Sequence, residues 1–462
     1  MTEEQVLKII GNIADREKVS VWAVGGFVRD KILNKEVKDI DFAVVGNGPK
    51  FARKVAQEIN SRNVVIFEKF GTAVVQHENF QLEFVGTRSE NYEENSRKPT
   101  VSSSDLDGDL LRRDFTINCI AYGLNKENFG AIYDPLNGQA DIVKKIIRTP
   151  LDPVVTFKDD PLRIMRAVRF ATQLNFTIEE KTFAALGEVA ERLKIISQER
   201  ISDELLKILK SPKPSIGFEL LDQIGVLGMI LPELTTMKGV EQREGYHHKD
   251  VYQHTLMVID NVAQTSDKLE LRLAALVHDI GKPATKKFIE GIGWTFHGHD
   301  EIGARMLPKI FQRLKLSNTF LKYTQKLTRL HLRPINLSEE GVTDSAMRRL
   351  LVRAGYDLDD LLILCRADIT SGNPQRVKKH LANFDHVVQR LEEVEEKDRM
   401  KAFQSPVRGD EIMAACGIEP GPKVGKLKKN IEEAILDGII PNEHDAAYQY
   451  LLGIKDEILG QP

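Results

Sequence analysis

Residues 25–46 read GGFVRDKILNKEVKDIDFAVVG. The run DIDFAVVG is short, β-rich and closed by a glycine, as expected of a strand. Successive strand side chains face opposite ways, so Asp39 and Asp41 share one face and Ile40 and Phe42 the other. The apolar pair belongs in a core. The two acids repel each other, and packing gives no reason to place them together. A hard divalent cation does: Mg²⁺ takes oxygen ligands, usually one or two carboxylates plus substrate phosphates. Upstream, Gly25-Gly26 ends the apolar run VWAV and lets backbone come close to a bulky anion. Arg29 can then reach a phosphate with its planar fork. A surface turn with two solvated acids would account for the D-x-D, but not for the G-G-x-x-R-D that precedes it.

Outward from this stretch, VVIFEKFGTAVVQ and QLEFVGTR are further β-rich runs, and PKFARKVAQEIN between them has helical spacing. Residues 89–109 are polar and aperiodic and read as a mobile loop. Beyond about residue 150 strand signals fade: DDPLRIMRAVRFATQL, ERISDELLKILK and SIGFELLDQIGVL are amphipathic helices, and the remainder is helical with loops expected at 235–247, 284–296 and 403–409. The acidic run at 393–399 reads as a solvated helix face.

The succession of motifs resembles a family. G-G-x-x-R-D followed by D-x-D, then RRDFTINCIAYGL (112–124), YDPLNGQADIVKKIIRT (133–149), DDPLRIMRAVRFA (159–171) and ERISDELLKIL (199–209), is similar to the head and neck of class II nucleotidyltransferases of the polymerase-β superfamily. That group contains CCA-adding tRNA nucleotidyltransferases and bacterial poly(A) polymerases. The resemblance implies an α+β chain whose mixed-sheet head is followed by all-helical parts. It also implies Mg²⁺ held by Asp39 and Asp41, with Glu83 matching a third catalytic carboxylate. Gly25, Gly26, Arg29 and the pair Arg112-Arg113, with Arg113 preferred, would receive the triphosphate. Asp160 and Arg163 match the pair that reads the incoming base, and Arg166 and Arg169 match nucleotide-binding positions. Position 159 is Asp where the family pattern usually has Glu. The pairing chemistry fits: cytosine and adenine each present an amine beside a ring acceptor, which a carboxylate and a guanidinium can meet. Guanine and uracil would set a carbonyl against the carboxylate. On local grounds alone, Asp160 before Pro161 is also a sound helix cap, and arginines on a helix face are often simply solvated.

A second constellation lies in HHKDVYQHTLMVI, LAALVHDIGKP, FHGHDEIGARML, LTRLHLRP and LCRADI. It resembles the HD superfamily of metal-dependent phosphohydrolases, which implies ligands at His254, His278, Asp279 and Asp368, with His299 and His331 matching extra histidines. The spacing H-x-x-x-G-A favours His299 over His297. Imidazoles and carboxylates together suit a divalent transition metal. His247-His248 carries no motif and reads as loop. Near the end of the chain, Lys423, Lys426, Lys428 and Lys429 open a helix that looks like a tRNA-gripping tail.

The expected organisation is therefore a nucleotidyltransferase head at 1–150, a helical neck at 151–235, an HD domain at 236–375 and a helical tail at 376–462. Three cysteines, at 119, 365 and 416, give neither a disulfide framework nor a zinc ribbon. A net charge of −3 means that any nucleic-acid affinity rests on local positive charge. No leader and no membrane span are read, so a soluble cytoplasmic protein is expected. The expected partners are tRNA, ATP and CTP; the sequence leaves the oligomeric state open. CCA addition is the leading reading. Poly(A), CC-only or A-only addition shares its chemistry, and an HD phosphohydrolase with an RNA-binding head is a rival of another class. A non-catalytic RNA-binding protein would be expected to have lost carboxylates, and none is missing at either site.

Overall fold

The computed structural model describes residues 1–462 apart from 69–70, 92–99, 242–249, 338–342, 371–372, 402–404, 437–438 and 460–462. The head is built on a seven-stranded mixed sheet in the order β3-β4-β5-β2-β1-β8-β9. Its strands are β1 (Val21–Val24), β2 (Asp39–Val44), β3 (Val64–Phe67), β4 (Thr72–His77), β5 (Phe80–Gly86), β8 (Ala121–Gly123) and β9 (Ile132–Tyr133). β2 and β5 run parallel and the other neighbours antiparallel. Alternation decides which face is buried. Ile40 and Phe42 of β2 and Leu82 and Phe84 of β5 are fully buried, and the rings of Phe42 and Phe84 stack at 4.8 Å. Phe51 of helix Gly48–Glu58 meets Phe84 edge-on at 5.7 Å, so this helix covers the apolar face. Asp41 and Glu83 are thereby left on the other face, side by side across the parallel pair.

Part of the polar segment 89–109 is regular where a loop is expected. β6 (Arg88–Asn91) pairs antiparallel with β7 (Thr100–Ser103), and helix Leu106–Leu111 follows; residues 92–99 lie outside the described part. Backbone ladders satisfy N–H and C=O groups whatever the side chains are, so apolar periodicity gave no warning. The same holds at 284–296, where β12 (Lys287–Ile289) and β13 (Gly293–Thr295) form a hairpin. A parallel pair, β10 (Ile146–Ile147) and β11 (Thr177–Ile178), joins the end of the head to the neck.

The chain divides into two compact units, Met1–Leu332 with Tyr356–Lys378, and Arg333–Gly355 with Lys379–Pro462. In the first, Arg272 is fully buried and donates to the carbonyl oxygens of Leu209, Ser211, Ala263 and Ser266. It ties the neck helix Gln198–Leu209 to the helical region carrying His254 and His278, and it satisfies carbonyls at helix ends that would otherwise be orphaned. The second unit is helical, with a core of Val407, Ile412, Leu427, Ile431, Ala447, Leu451 and Ile458. Its helix Pro422–Leu436 carries the tail lysines, of which Lys423, Lys426 and Lys429 are exposed. No helix among the described residues is long and apolar enough to cross a membrane.

Candidate nucleotide cleft and metal cluster

A cleft of about 1520 Å³ opens against the acidic face of the sheet. Gly25, Gly26, Arg29, Asp41, Glu83, Arg112, Arg113, Asp160, Arg163, Arg166 and Arg169 all line it. Asp39 does not; it is exposed at the start of β2, where it pairs with Gln81 rather than with Glu83. Its charge is still felt. Burial pushes the Asp41 carboxyl up, Arg113 opposes that, and Asp39 reinforces it. Burial also raises Glu83, and the neighbouring Asp41 adds to the effect. Crowded carboxylates of this kind are a hard-oxygen donor set that a cation would relieve. Gly25 has φ +73°, and a Cβ there would lie 2.9 Å from Arg113 Nη1 and 3.7 Å from Asp41 Oδ2. Only glycine lets the strand turn into helix Gly26–Ile32 this close to both.

The arginines are held by buried acids. Arg112 Nη2 and Arg113 Nη2 donate to the two oxygens of Asp109 at 2.5 and 2.9 Å, and Asp109 is 1% exposed. Arg113 Nε is buried without a hydrogen-bond partner. Arg166 Nε donates to Asp114 Oδ2 at 2.7 Å, while Asp114 Oδ1 accepts from Asn118 Nδ2 at 3.0 Å. Burial works against the Asp114 charge, but Arg166 and Asn118 outweigh it and hold the carboxyl down to about 2. Arg29 forks onto Asp30 and donates to Asn118 Oδ1 at 2.8 Å. Arg169 Nε lies 3.1 Å from Glu204 Oε2, an ion pair without hydrogen-bond alignment. Phe170 sits beneath three guanidinium groups, those of Arg29, Arg166 and Arg169, at 5.0, 5.3 and 4.3 Å from its centroid.

Asp160 has two engagements. Its Oδ1 accepts from Leu162 N at 3.1 Å, the first N–H of helix Leu162–Leu174, whose cap residue is Pro161 rather than the expected Asp160, and its Oδ2 lies 3.6 Å from Arg200 Nη2. Arg163 donates to the carbonyls of Arg112 at 2.5 Å and Thr156 at 3.3 Å. Two of its five N–H donors are so used, which fixes the guanidinium and leaves three.

In the helical region, His254 (helix Val251–Thr265), His278 and Asp279 (after helix Leu269–Val277), His299 (opening helix His299–Arg313), His331 (after helix Asn318–Leu330) and Asp368 (ending helix Leu358–Asp368) converge. They form two groups, His254, His278, Asp279 and Asp368, and Asp279, His299 and His331, each with ligand atoms within 4.8 Å of one another. Asp279 belongs to both. His254 Nε2 is 2.8 Å from Asp368 Oδ1, and His278 Nε2 is 3.2 Å from Asp279 Oδ2. His299 Nε2 is 3.2 Å and His331 Nε2 3.8 Å from Asp279 Oδ1. Nδ1 of His278, His299 and His331 faces the carbonyls of Ala275, Phe296 and Thr328, each at 2.7 Å. A donating Nδ1–H fixes the tautomer and turns the Nε2 lone pair inward. His278 Nε2 and Asp279 Oδ2 are buried without an aligned hydrogen-bond partner, and the Lys282 ammonium lies 2.7 Å from that same oxygen, so the position already attracts a cation. Despite burial, Asp279 and Asp368 hold His278 up to about 10, whereas burial and the charge of His278 take His331 down to about 4. His297 is exposed and outside both groups, and His247-His248 lies outside the described residues.

Residues 21–148 match the family described as Poly A polymerase head domain, 175–238 the one described as Probable RNA and SrmB- binding site of polymerase A, and 251–373 the HD domain. The A-adding tRNA nucleotidyltransferase of Deinococcus radiodurans is 34% identical over 74% of this chain and 78% of that protein. The CC-adding tRNA nucleotidyltransferase of Thermus thermophilus is 30% identical over 92% of each. The chain belongs to the tRNA nucleotidyltransferase family. The Multifunctional CCA protein of Cupriavidus metallidurans is also 30% identical, over 90% of this nucleotidyltransferase and 97% of that one. A crystal structure of a tRNA nucleotidyltransferase complexed with a primer tRNA and an incoming ATP analog superposes with a TM-score of 0.59 at 25% identity, covering 82% of this chain and 99% of that one. Heads and HD domains of these families are metal-dependent, and the grouped histidines and aspartates of this nucleotidyltransferase could hold such ions.

Several residues in or behind the nucleotidyltransferase's cleft escape the sequence reading: Asp114, Asn118, Phe170 and Arg200 line it, and Asp109 and Glu204 are buried against its arginines. The spacing of Asp109 to Arg113 is a helical i, i+4 pair and carried a local signal. Asp114 and Arg166 are 52 residues apart and carried none. Lys282, 2.7 Å from Asp279, stands three residues after it in HDIGK.

Proposed function

We propose that the chain adds CMP and AMP, from CTP and ATP, to the 3′ end of tRNA in the cytoplasm, without a nucleic-acid template. The observation that carries this reading is one cleft bringing Asp41 and Glu83 together with eight arginines and Asp160. Asp39 and Asp41 would hold Mg²⁺, which when bound activates the attacking 3′-hydroxyl and stabilises the leaving pyrophosphate. The chain's own groups do the rest. The Gly25-Gly26 backbone admits the triphosphate, and Arg113, whose Nη1 lies against Gly25, supplies positive charge beside it. Arg29, Arg166 and Arg169 supply positive charge, held apart by Asp30, Asp114, Glu204 and the Phe170 ring. Asp160 Oδ2 accepts from the exocyclic amine of cytosine or adenine while Arg163 donates to the ring acceptor. Basic helix Pro422–Leu436 would contact the tRNA body.

The named relatives span A-adding, CC-adding and multifunctional CCA enzymes, so the test is the product. The protein is incubated with tRNA lacking its last three nucleotides and each labelled NTP, and the product is sequenced. Complete CCA ends, lost in Asp41→Ala while tRNA binding persists, are expected. Ends of CC, A or poly(A) would replace the reading, and addition by Asp41→Ala near the wild-type rate would remove Asp41 from the chemistry.

A second activity is favoured by the inward-facing His278 Nε2 and Asp279 Oδ2. We infer that His254, His278, Asp279 and Asp368, and Asp279, His299 and His331, would each hold a divalent transition metal, which when bound activates water against a phosphoester.

A further inference from the structure

Lys282 and His299 both touch Asp279, and between them the chain leaves the cluster as hairpin β12–β13 and returns. The hairpin is unusually apolar for an exposed ribbon. Phe288 is 48%, Ile289 39% and Ile292 74% exposed. Phe288 and Trp294 are directly paired across the strands, and their rings meet edge-to-face at 5.1 Å. The ammonium of Lys286 lies 4.1 Å from the Trp294 centroid. Ile289 and Ile292 lie off the face that Phe288 shares with the half-buried Trp294, and a two-stranded ribbon gains little stability from an aromatic pair still partly in water, so this face calls for an occupant.

The direction of the face says which. Side-chain alternation puts Phe288 and Trp294 on one side of the ribbon and, carried just past the strand end, Phe296 with them. Phe296 leads into the cluster: its carbonyl faces His299 Nδ1 at 2.7 Å and its ring lies 5.7 Å from the Lys282 ammonium. An aromatic surface thus continues into a lysine and a metal-ligand set. That sequence of chemistries matches a nucleotide, with a flat base, a sugar and a phosphate. Lys286 over Trp294 adds a cation where a second phosphate oxygen or the base edge would sit.

We propose that hairpin β12–β13 is the base-binding half of the HD site, and that a nucleoside monophosphate binds with its phosphate at the cluster against Lys282 and its base stacked on Trp294. This rests on the hydrolase reading for the role of the phosphate end, but stacking is measured separately. The chain has two tryptophans, so Trp22→Phe leaves Trp294 as the sole indole. Its emission is expected to fall on titration with 2′-AMP and to recover when inorganic phosphate competes. In a hydrolysis assay, Trp294→Ala is expected to raise the KM for 2′-AMP relative to that for glycerol 2-phosphate, which has no base, by roughly 5- to 150-fold, as loss of one base–aromatic stack does. Emission unaffected by millimolar 2′-AMP would overturn the proposal, as would an unchanged KM ratio. Absence of hydrolysis of either compound would remove the hydrolase reading alone; quenching would still decide the hairpin, including where Trp294→Ala fails to fold.

Discussion

Asp160→Ala separates the helix-end hydrogen bond made by Oδ1 from the base reading proposed for Oδ2. Oδ1 accepts from Leu162 N at 3.1 Å, and losing that bond to the helix's first N–H costs about 0.5–2 kcal/mol, as loss of a cap does. The Arg200 contact at 3.6 Å is between partly exposed groups and adds no more than a few tenths, about 0.5 kcal/mol at most. The melting temperature should therefore drop by no more than about 2–4 °C. If Oδ2 also reads the base, the substitution removes the group that accepts from an amine and repels a carbonyl. Discrimination of CTP and ATP over UTP and GTP should then fall by roughly 5- to 150-fold, equivalent to about 1–3 kcal/mol. The assay is kcat/KM for the four nucleotides on tRNA lacking its 3′ CCA, beside a melting curve. A lower melting temperature with unchanged nucleotide preference would leave Asp160 with its helix-end hydrogen bond only and refute the base-reading role.

The pair His278→Ala and Asp279→Ala should abolish hydrolysis of 2′,3′-cyclic and 2′-phosphate substrates while nucleotide addition persists; if the wild type hydrolyses neither with Mg²⁺, Mn²⁺, Ni²⁺ or Co²⁺, the HD cluster is structural. Gly25→Ala forces a Cβ to within 2.9 Å of Arg113 Nη1 at φ +73°, which should cost on the order of 1–3 kcal/mol of stability and raise the KM for both nucleotides; wild-type kinetics would show the turn to be unimportant. Asp114 falls from 3.8 to about 2 on folding, on the order of 2 kcal/mol at about 1.36 kcal/mol per pH unit. A depressed carboxyl stabilises above its unfolded value, so this contribution is complete above about pH 4 and lost as pH falls toward 2, and Asp114→Asn should flatten the denaturant-measured stability profile in that window.

The motifs carrying chemistry were legible because they are local. Asp39-x-Asp41 after Gly25-Gly26 needs only strand alternation and a turn to imply an acidic face beside an anion site, and His278-Asp279 ends an apolar helix. What stayed hidden depends on groups brought together from far apart. The Asp114–Arg166 pair, the Glu204–Arg169 pair and the Arg29 guanidinium on Phe170 join segments whose separation no periodicity reports. The β12–β13 hairpin was hidden for a different reason: a short ribbon whose apolar residues remain exposed lacks the buried alternation by which strands announce themselves.

The hidden acids pose a physical problem of their own. Asp109 is a buried negative charge behind the arginines of a cleft assigned to a triphosphate, and simple Coulomb reasoning says that removing it should tighten nucleotide binding. The geometry argues the reverse. Asp109 is buried and grips Arg112 at 2.5 Å and Arg113 at 2.9 Å. Burial raises its pKa, but the two arginines outweigh that and hold it below the ordinary carboxylate range, so it stays charged near neutrality. Its worth lies in preorganisation: two long side chains that would each lose rotamer freedom on meeting a phosphate have already lost it on folding. In Asp109→Asn one charge-assisted acceptor becomes a donor facing a guanidinium, at a cost of about 1.5–3 kcal/mol for a hydrogen bond to a charged group. The KM for ATP and CTP should rise by roughly 10- to 150-fold, with the CTP-to-UTP preference kept because Asp160 and Arg163 remain. A fall in KM would show that long-range repulsion outweighs the ordering of Arg112 and Arg113, and would defeat the preorganisation account for the whole arginine wall.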